Sequence, residues 1–291
     1  MRGDGPTIER MTALYDCGAF THDGRRLAYE LIGPRDGSPV LLMHGILMDS
    51  MLNRDLASAL ADAGYRVALL DLLGHGRSEK PDRAEELRID AFGDQAVALL
   101  DHLGWSRAVV GGVSLGAITA LHAAVRAPER VTGLFLEMPV MERAAPAAAL
   151  MLVPLLVGVR YGARPWRLWA RMLRRLPTPR RGIWQSLLNT ISQDPDVMAA
   201  IIHGVLVGPV VPPLRDRIRL AAPALVIGHA GDWLHNLQDA RALARELPNA
   251  ELVVARSPFE LRTRPTRLLP DILRFLQRTQ READQATPSL A

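Results

Sequence analysis

The sequence predicts an α/β protein: a mostly parallel central sheet with helices on both faces, and an inserted helical cap. Three observations carry this. Apolar, β-branched runs alternate with segments of helical periodicity along most of the 291 residues. The runs are apolar nearly throughout, as strands covered on both faces must be. One stretch, from 139 to 220, breaks the rhythm with helical patterns punctuated by ten prolines.

RRLAYELIG (25–33) and PVLLMHG (39–45) read as strands, followed by a helix over 49–63 and a strand in YRVALLDLLG (65–74). Residues 88–103 read as a helix, RAVVGGVS (107–114) as a strand, LGAITALHAAVRA (115–127) as a helix and VTGLFLEMP (131–139) as a strand. PALVIGH (223–229) and AELVVA (250–255) are the last two strands, each followed by a helix. Residues 1–138 and 221–291 are thus expected to form the core, with 139–220 as a cap over the strand ends. In such sheets ligands bind in the loops at the carboxyl ends of the strands.

Hydrophobic residues make up 48% of the chain and charged residues 23%, enough for a sizeable core. The polar ends, MRGDGPTIER and TQREADQATPSLA, lack apolar periodicity and are expected to be disordered. The single cysteine, Cys17, excludes an internal disulfide and paired-cysteine metal sites, and nothing implies a metal or other cofactor. The first twenty residues lack a signal-peptide run, so a cytoplasmic location is expected. Twelve arginines face four carboxylates in 139–220, but they are interleaved with Trp, Leu and Met at helical spacing, which argues against nucleic acid. AAPAAALMLVPLLVGV (144–159) is too short to span a bilayer and holds two prolines. It is expected to line a core or pocket without stable membrane insertion. A homodimer stays open.

GVSLG (112–116) lies at a strand-to-helix junction, the context that gives G-x-S-x-G its meaning. The sharp turn needs small neighbours, which Gly112 and Gly116 supply, and it lifts the Ser114 hydroxyl above the sheet. The following helix aims the Leu115 N–H at the same space, where it can meet an oxyanion. MHGILMDS (43–50) offers a second donor, the N–H of Ile46. His44 and His75, each beside a glycine, read as loop-shaping residues.

With HG at 44–45, DLLGHGRS at 71–78, GVSLG at 112–116 and GHAGD at 228–232, the chain resembles the α/β-hydrolase superfamily over roughly residues 25–278. The resemblance implies a nucleophile at Ser114, an acid at Asp232 and a histidine after the last strand. It departs at Leu73, where an arginine commonly precedes the GHG turn. It departs more seriously after the last strand, where Ser257-Pro258 stands at the histidine's place. Proline accepts no proton, so the ordinary triad cannot be assembled there.

Another base is therefore needed, because an unassisted serine is a weak nucleophile. His102 and His122 fall within helices, His22 near the N-terminus, and His203 in the cap, where it could reach the pocket. His235, three residues after Asp232 in GDWLHN, is the best candidate, with His229 second. An Asp-x-x-His pair with a later E-L-R, here FELR at 259–262, also resembles a subgroup lacking the usual last-strand histidine. Glu137 and Glu260 are alternative acids or bases, though Glu260 is expected to pair with Arg262 or Arg264.

Three functional readings follow, the third being docking on a membrane or partner through the basic helices of the cap. The first is a serine hydrolase acting on an ester, thioester or lactone of a small apolar acyl compound. Here Ser114 attacks, His235 transfers the proton, Asp232 orients it, and Met, Leu and Trp of the cap line the pocket. The second keeps the fold and oxyanion hole for a non-hydrolytic role, as a cyclase, lyase or small-ligand binder without a standard triad.

Overall fold

A computed structural model describes residues 15–286 except 176, 178–181, 233, 259 and 264. The N-terminal polar stretch, residues 287–291, Trp233, Phe259 and Arg264 therefore lie outside the described residues. The strands are β1 (Asp16–His22), β2 (Arg25–Ile32), β3 (Ser38–Met43), β4 (Tyr65–Asp71), β5 (Ala108–Val113), β6 (Val131–Glu137), β7 (Ala224–His229) and β8 (Ala250–Ala255). The helices of the core are α1 (Arg54–Asp62), α2 (Ile89–His102) and α3 (Leu115–Arg126). Five more lie between β6 and β7: α4 (Ala145–Tyr161), α5 (Ala163–Leu173), α6 (Gly182–Ile191), α7 (Pro195–Val207) and α8 (Leu214–Arg217). The core resumes with α9 (Leu237–Glu246), α10 (Glu260–Thr263) and α11 (Leu269–Ala286).

The eight strands form one sheet in the order β1-β2-β4-β3-β5-β6-β7-β8. Pairing is parallel from β4 through β8, while β1 and β2 are antiparallel additions at one edge. Alternate residues of each strand go to opposite faces, so Val109 joins one core cluster and Val110 the other. Helices α1 and α11 cover the Val109 face through Leu56, Leu60, Ile272 and Phe275. Helices α2, α3 and α9 cover the Val110 face through Phe92, Leu99, Leu121 and Leu243. The chain reverses its direction of sheet growth between β3 and β5, which are neighbours, and the loops leaving those strands open a crevice at their carboxyl ends.

Three expectations need correction. A first strand, β1, is present, joined to β2 by a turn in which Asp23 (φ 49°) and Gly24 (φ 76°) both take left-handed backbone. Asp-Gly is the sequence signature of that hairpin turn. The helix over 49–63 is divided: Asp49 caps a 3₁₀ turn at Ser50–Asn53, and α1 starts only at Arg54. The polar stretch from Thr279 is not disordered as far as Ala286, because it continues the amphipathic α11, which buries Phe275, Leu276 and Thr279.

The inserted helices are tied to the core by polar groups. Asp239 of α9 accepts the backbone N–H of Met141 and of Ala144 with one buried oxygen, fixing the start of the insertion. Arg217, buried to 1% exposure, pairs with Glu142 at 2.7 Å and Glu246 at 2.8 Å, fixing its end. Helix α6 is joined to the loop after β3: Asn189 donates to Asp49, Thr190 to the Leu47 carbonyl, and the Asp49 N–H to Ser186.

Candidate active site

Ser114 ends β5 with φ 55° and ψ −111°, a conformation that non-glycine residues rarely hold. The backbone can turn there because the residues two positions to either side, Gly112 and Gly116, have no side chains. A Cβ on Gly112 or on Gly116 would drive into the Met43 carbonyl. The Ser114 N–H donates to the Glu137 carbonyl at 2.8 Å, and the Ile118 N–H donates to the Ser114 carbonyl, locking the turn between β6 and α3. Leu115 is the first residue of α3, where the geometry leaves N–H groups without intrahelical acceptors. The loop after β3 runs close by: a Cβ on Gly45 would lie 3.8 Å from that of Ser114. Ile46 and Leu115 both line the cavity in front of the serine.

The structure brings His235 to this serine. Its Nε2 lies 2.9 Å from Ser114 Oγ, and its Nδ1 lies 2.8 Å from Asp232 Oδ2. A carboxylate only accepts, so Nδ1 carries the proton and the neutral ring offers Nε2 as an acceptor for the serine hydroxyl. Asp232 manages its position after β7 and the orientation of His235 at once. Its other oxygen, Oδ1, accepts the backbone N–H of Leu234 at 2.9 Å and of His235 at 3.0 Å. Burial works to raise the Asp232 carboxyl, but the hydrogen bonds from His235 and Leu234 outweigh it and hold it at about 2.

The alternative residues do other work. Glu137 is buried between Arg262 Nη2 at 2.6 Å and His229 Nε2 at 3.3 Å. Burial raises its carboxyl, and the guanidinium beside it more than offsets this, keeping it below the ordinary carboxylate range. His229 donates its Nδ1–H to the Ser257 carbonyl at 2.7 Å, so the turn after β8 wraps around it. Glu260 pairs with Arg267, while Arg262 belongs to Glu137; Arg264 lies outside the described residues. It also accepts the Arg256 N–H, and Arg267 reaches the Val254 carbonyl. Arg267 holds the Glu260 carboxyl down at about 2. Glu260 and Arg262 of the FELR stretch thus form a buried clasp between β8 and β6, and Pro258 sits in the turn that leads into it.

The remaining histidines are structural. His44 accepts the Leu72 N–H on Nε2 and donates from Nδ1 to the Gly45 carbonyl; His75 packs against it with a tilted ring and bonds the Leu73 carbonyl. Burial lowers both rings' basicity, His75 furthest. His102 packs on Phe20 and meets the Tyr29 hydroxyl. His203, which its place in the cap could have brought to the pocket, is exposed on α7.

The cavity has a volume of about 390 Å³ and contains Ser114, Leu115, His235 and Ile46 at its polar end. Its walls come from α4 (Ala148, Ala149, Met151, Leu152), α7 (Val205, Leu206) and Ile118 of α3. The tryptophans expected to line it do not: Trp169 and Trp184 are exposed, and Trp166 donates to the Gln193 carbonyl. No group of three or more potential metal ligands occurs among the described residues.

The chain belongs to the alpha/beta hydrolase fold family, whose model matches residues 38–258. It is 36% identical over 126 residues to a haloalkane dehalogenase of Mycolicibacterium paratuberculosis, a match covering 42% of each chain. The chain thus spans about two fifths of the length of that curated relative. Among solved structures it is similar to a thermophilic esterase from Thermogutta terrifontis, at 26% identity and a TM-score of 0.70, covering 92% of this chain and 99% of the esterase. The enol-lactonase from Burkholderia xenovorans superposes with a TM-score of 0.72 at 22% identity, covering 89% and 100% of the two chains, and shows the fold alone.

Proposed function

We propose that the protein is a serine hydrolase acting on an ester, thioester or lactone of a small apolar acyl compound. The observation that carries this is the run of contacts from Ser114 Oγ to His235 Nε2 at 2.9 Å and from His235 Nδ1 to Asp232 at 2.8 Å. Ser114 Oγ attacks the acyl carbonyl as its proton passes to His235 Nε2. The carbonyl oxygen gains charge and is met by the N–H groups of Ile46 and Leu115. His235 returns the proton to the departing alcohol or thiol, and water, activated by the same imidazole, releases the acid from Ser114. Asp232 remains ionised throughout and stabilises the transient imidazolium. The apolar chain of the acyl group lies against Leu152, Val205 and Leu206 in a cavity of about 390 Å³, which favours short or medium chains.

The non-hydrolytic reading was motivated by a serine without a base. A histidine in hydrogen-bond reach of Ser114 Oγ favours hydrolysis over it. The test is mass spectrometry after treatment with a fluorophosphonate. The folded protein should carry the adduct on Ser114, and the unfolded protein should carry none. A folded protein left unlabelled contradicts a nucleophilic serine.

A further inference from the structure

We propose that the inserted helices α4, α5 and α6 dock the protein peripherally on a lipid surface bearing anionic headgroups. Each of these helices turns an apolar stripe outward. On α4, Leu150 is 77% exposed, and Val153 and Val157 follow at i+3 and i+7. On α5, Leu168 (58%) and Trp169 (53%) are followed by Met172. On α6, Trp184, Leu187 and Ile191 repeat the spacing of α4. A helix of a globular protein places such a stripe inward. The inward positions of α5 and α6 bury only Ala170, Leu173, Gly182, Ile183 and Ser186, so much of their large apolar surface stays outside. Three consecutive helices that each expose an apolar stripe make this a surface property rather than one stray side chain.

The charge around these stripes selects the occupant. From residue 143 to 193 the sequence has nine arginines and no aspartate or glutamate. Arg160, Arg164, Arg171 and Arg175 are exposed, and none pairs with a carboxylate among the described residues. Arg167 finds its acids only beyond this segment, at Asp194 and Asp196. Apolar side chains with a tryptophan on one face, flanked by unpaired arginines, match the boundary between acyl chains and phosphate headgroups. A second copy of the chain fits poorly, because a two-fold interface would set the same unpaired arginines against one another. Nucleic acid would leave the three apolar stripes without a partner. No single described helix is long and apolar enough to cross a bilayer; α4 and α5 reach that length only together, with a 93° bend between them at Gly162. They lie in the interface plane.

The docked face joins the cavity. Helix α4 is apolar on all sides, lining the space before Ser114 with Ala148, Ala149 and Leu152 while presenting Leu150 and Val153 outward. An apolar compound dissolved in the lipid would have one helix between it and the serine. The docking itself rests on no step of the chemistry proposed at Ser114.

The test is flotation of the full chain with vesicles of phosphatidylcholine alone, and with about one quarter phosphatidylglycerol, at low salt and at about 0.5 M salt. The wild type should float with the anionic vesicles at low salt, weakly with phosphatidylcholine, and weakly at high salt. Arg164→Glu/Arg171→Glu and Leu168→Ser/Trp169→Ser should each reduce binding at least about 10-fold while hydrolysing a soluble short-chain ester as the wild type does. Ser114→Ala should bind as the wild type, which separates this docking from the chemistry. The proposal is overturned by any of three results. One is no flotation of folded protein; another is binding that ignores both headgroup charge and the arginine exchange. The third is a stable wild-type dimer, seen by light scattering, that Leu168→Ser/Trp169→Ser dissociates.

Discussion

Asp232 holds His235 at two points: one carboxylate oxygen accepts its backbone N–H at 3.0 Å, the other its ring Nδ1 at 2.8 Å. Three residues of separation suffice because the chain folds back on itself just before Asn236 caps α9. In the proposed mechanism, a base carried on the loop after β7 therefore comes with its own orienting acid. It needs nothing from the turn after β8, which is free to become the Glu137–Arg262 clasp.

Asp232→Asn should reduce kcat/KM by about 10²–10⁴ with little change in KM, because an amide can present its NH₂ to Nδ1 and stabilise the wrong tautomer. Steady-state kinetics on a soluble ester checks this, and a loss confined to KM would contradict it.

The same carboxylate makes stability depend on pH. Its pKa in the fold, about 2, lies below the ordinary value of 3.8, so folding favours the ionised form. The contribution is complete above about pH 4 and is lost as the pH falls toward 2. Urea unfolding should show the wild type more stable than Asp232→Asn by about 1–2 kcal/mol at pH 5, after allowing for solvent screening, and the gap should close by about pH 2.

Arg262→Met should destabilise the protein by about 3–5 kcal/mol, because it leaves Glu137 buried beside Ser114 without its guanidinium. In that variant the Glu137 carboxyl should rise above its unfolded value, so the folded state binds the extra proton. Stability should then fall as pH rises from about 4 to 7, opposite to the Asp232 effect. Arg262→Met/Glu137→Gln should recover much of the loss, as a double-mutant cycle by chemical denaturation would read.

Gly116→Ala should destabilise by about 2–3 kcal/mol or prevent folding, since the added methyl meets the Met43 carbonyl at the tightest point of the turn. Ala149→Phe should instead leave the fold intact. It should cut kcat/KM for a medium-chain ester about 10-fold more than for an acetate, by shortening the cavity under α4. Thermal melts and a chain-length series distinguish these two effects.

Much of this was legible in the sequence. Strand periodicity put β2 through β8 within a few residues of their ends, and GVSLG marked the strained serine, because a turn that tight needs glycine two residues away on each side. His235 could be singled out once Pro258 removed the usual position. Its reach to Ser114 could not, since that depends on how the loop at 232–235 folds back. The partner of Glu260 was likewise hidden: Arg267 lies one turn past the proline, and only the packing of α10 under β8 brings it there. The tryptophans misled because amphipathicity gives the period of a face and not its direction. Trp169 and Trp184 face outward while alanines and leucines line the pocket. Strand β1 was missed although Asp23-Gly24 signalled it, because DCGAFTH is short on apolar residues at an edge that buries little.

The central claim is that His235 is the base for Ser114. It is tested most directly by stopped-flow measurement of the acylation burst with a p-nitrophenyl ester in the wild type and in His235→Ala, with folding checked by circular dichroism. The account predicts a burst in the wild type and a loss of at least about 10³-fold in its rate in folded His235→Ala. A burst of unchanged rate in that variant would show that the proton leaves Ser114 by another route.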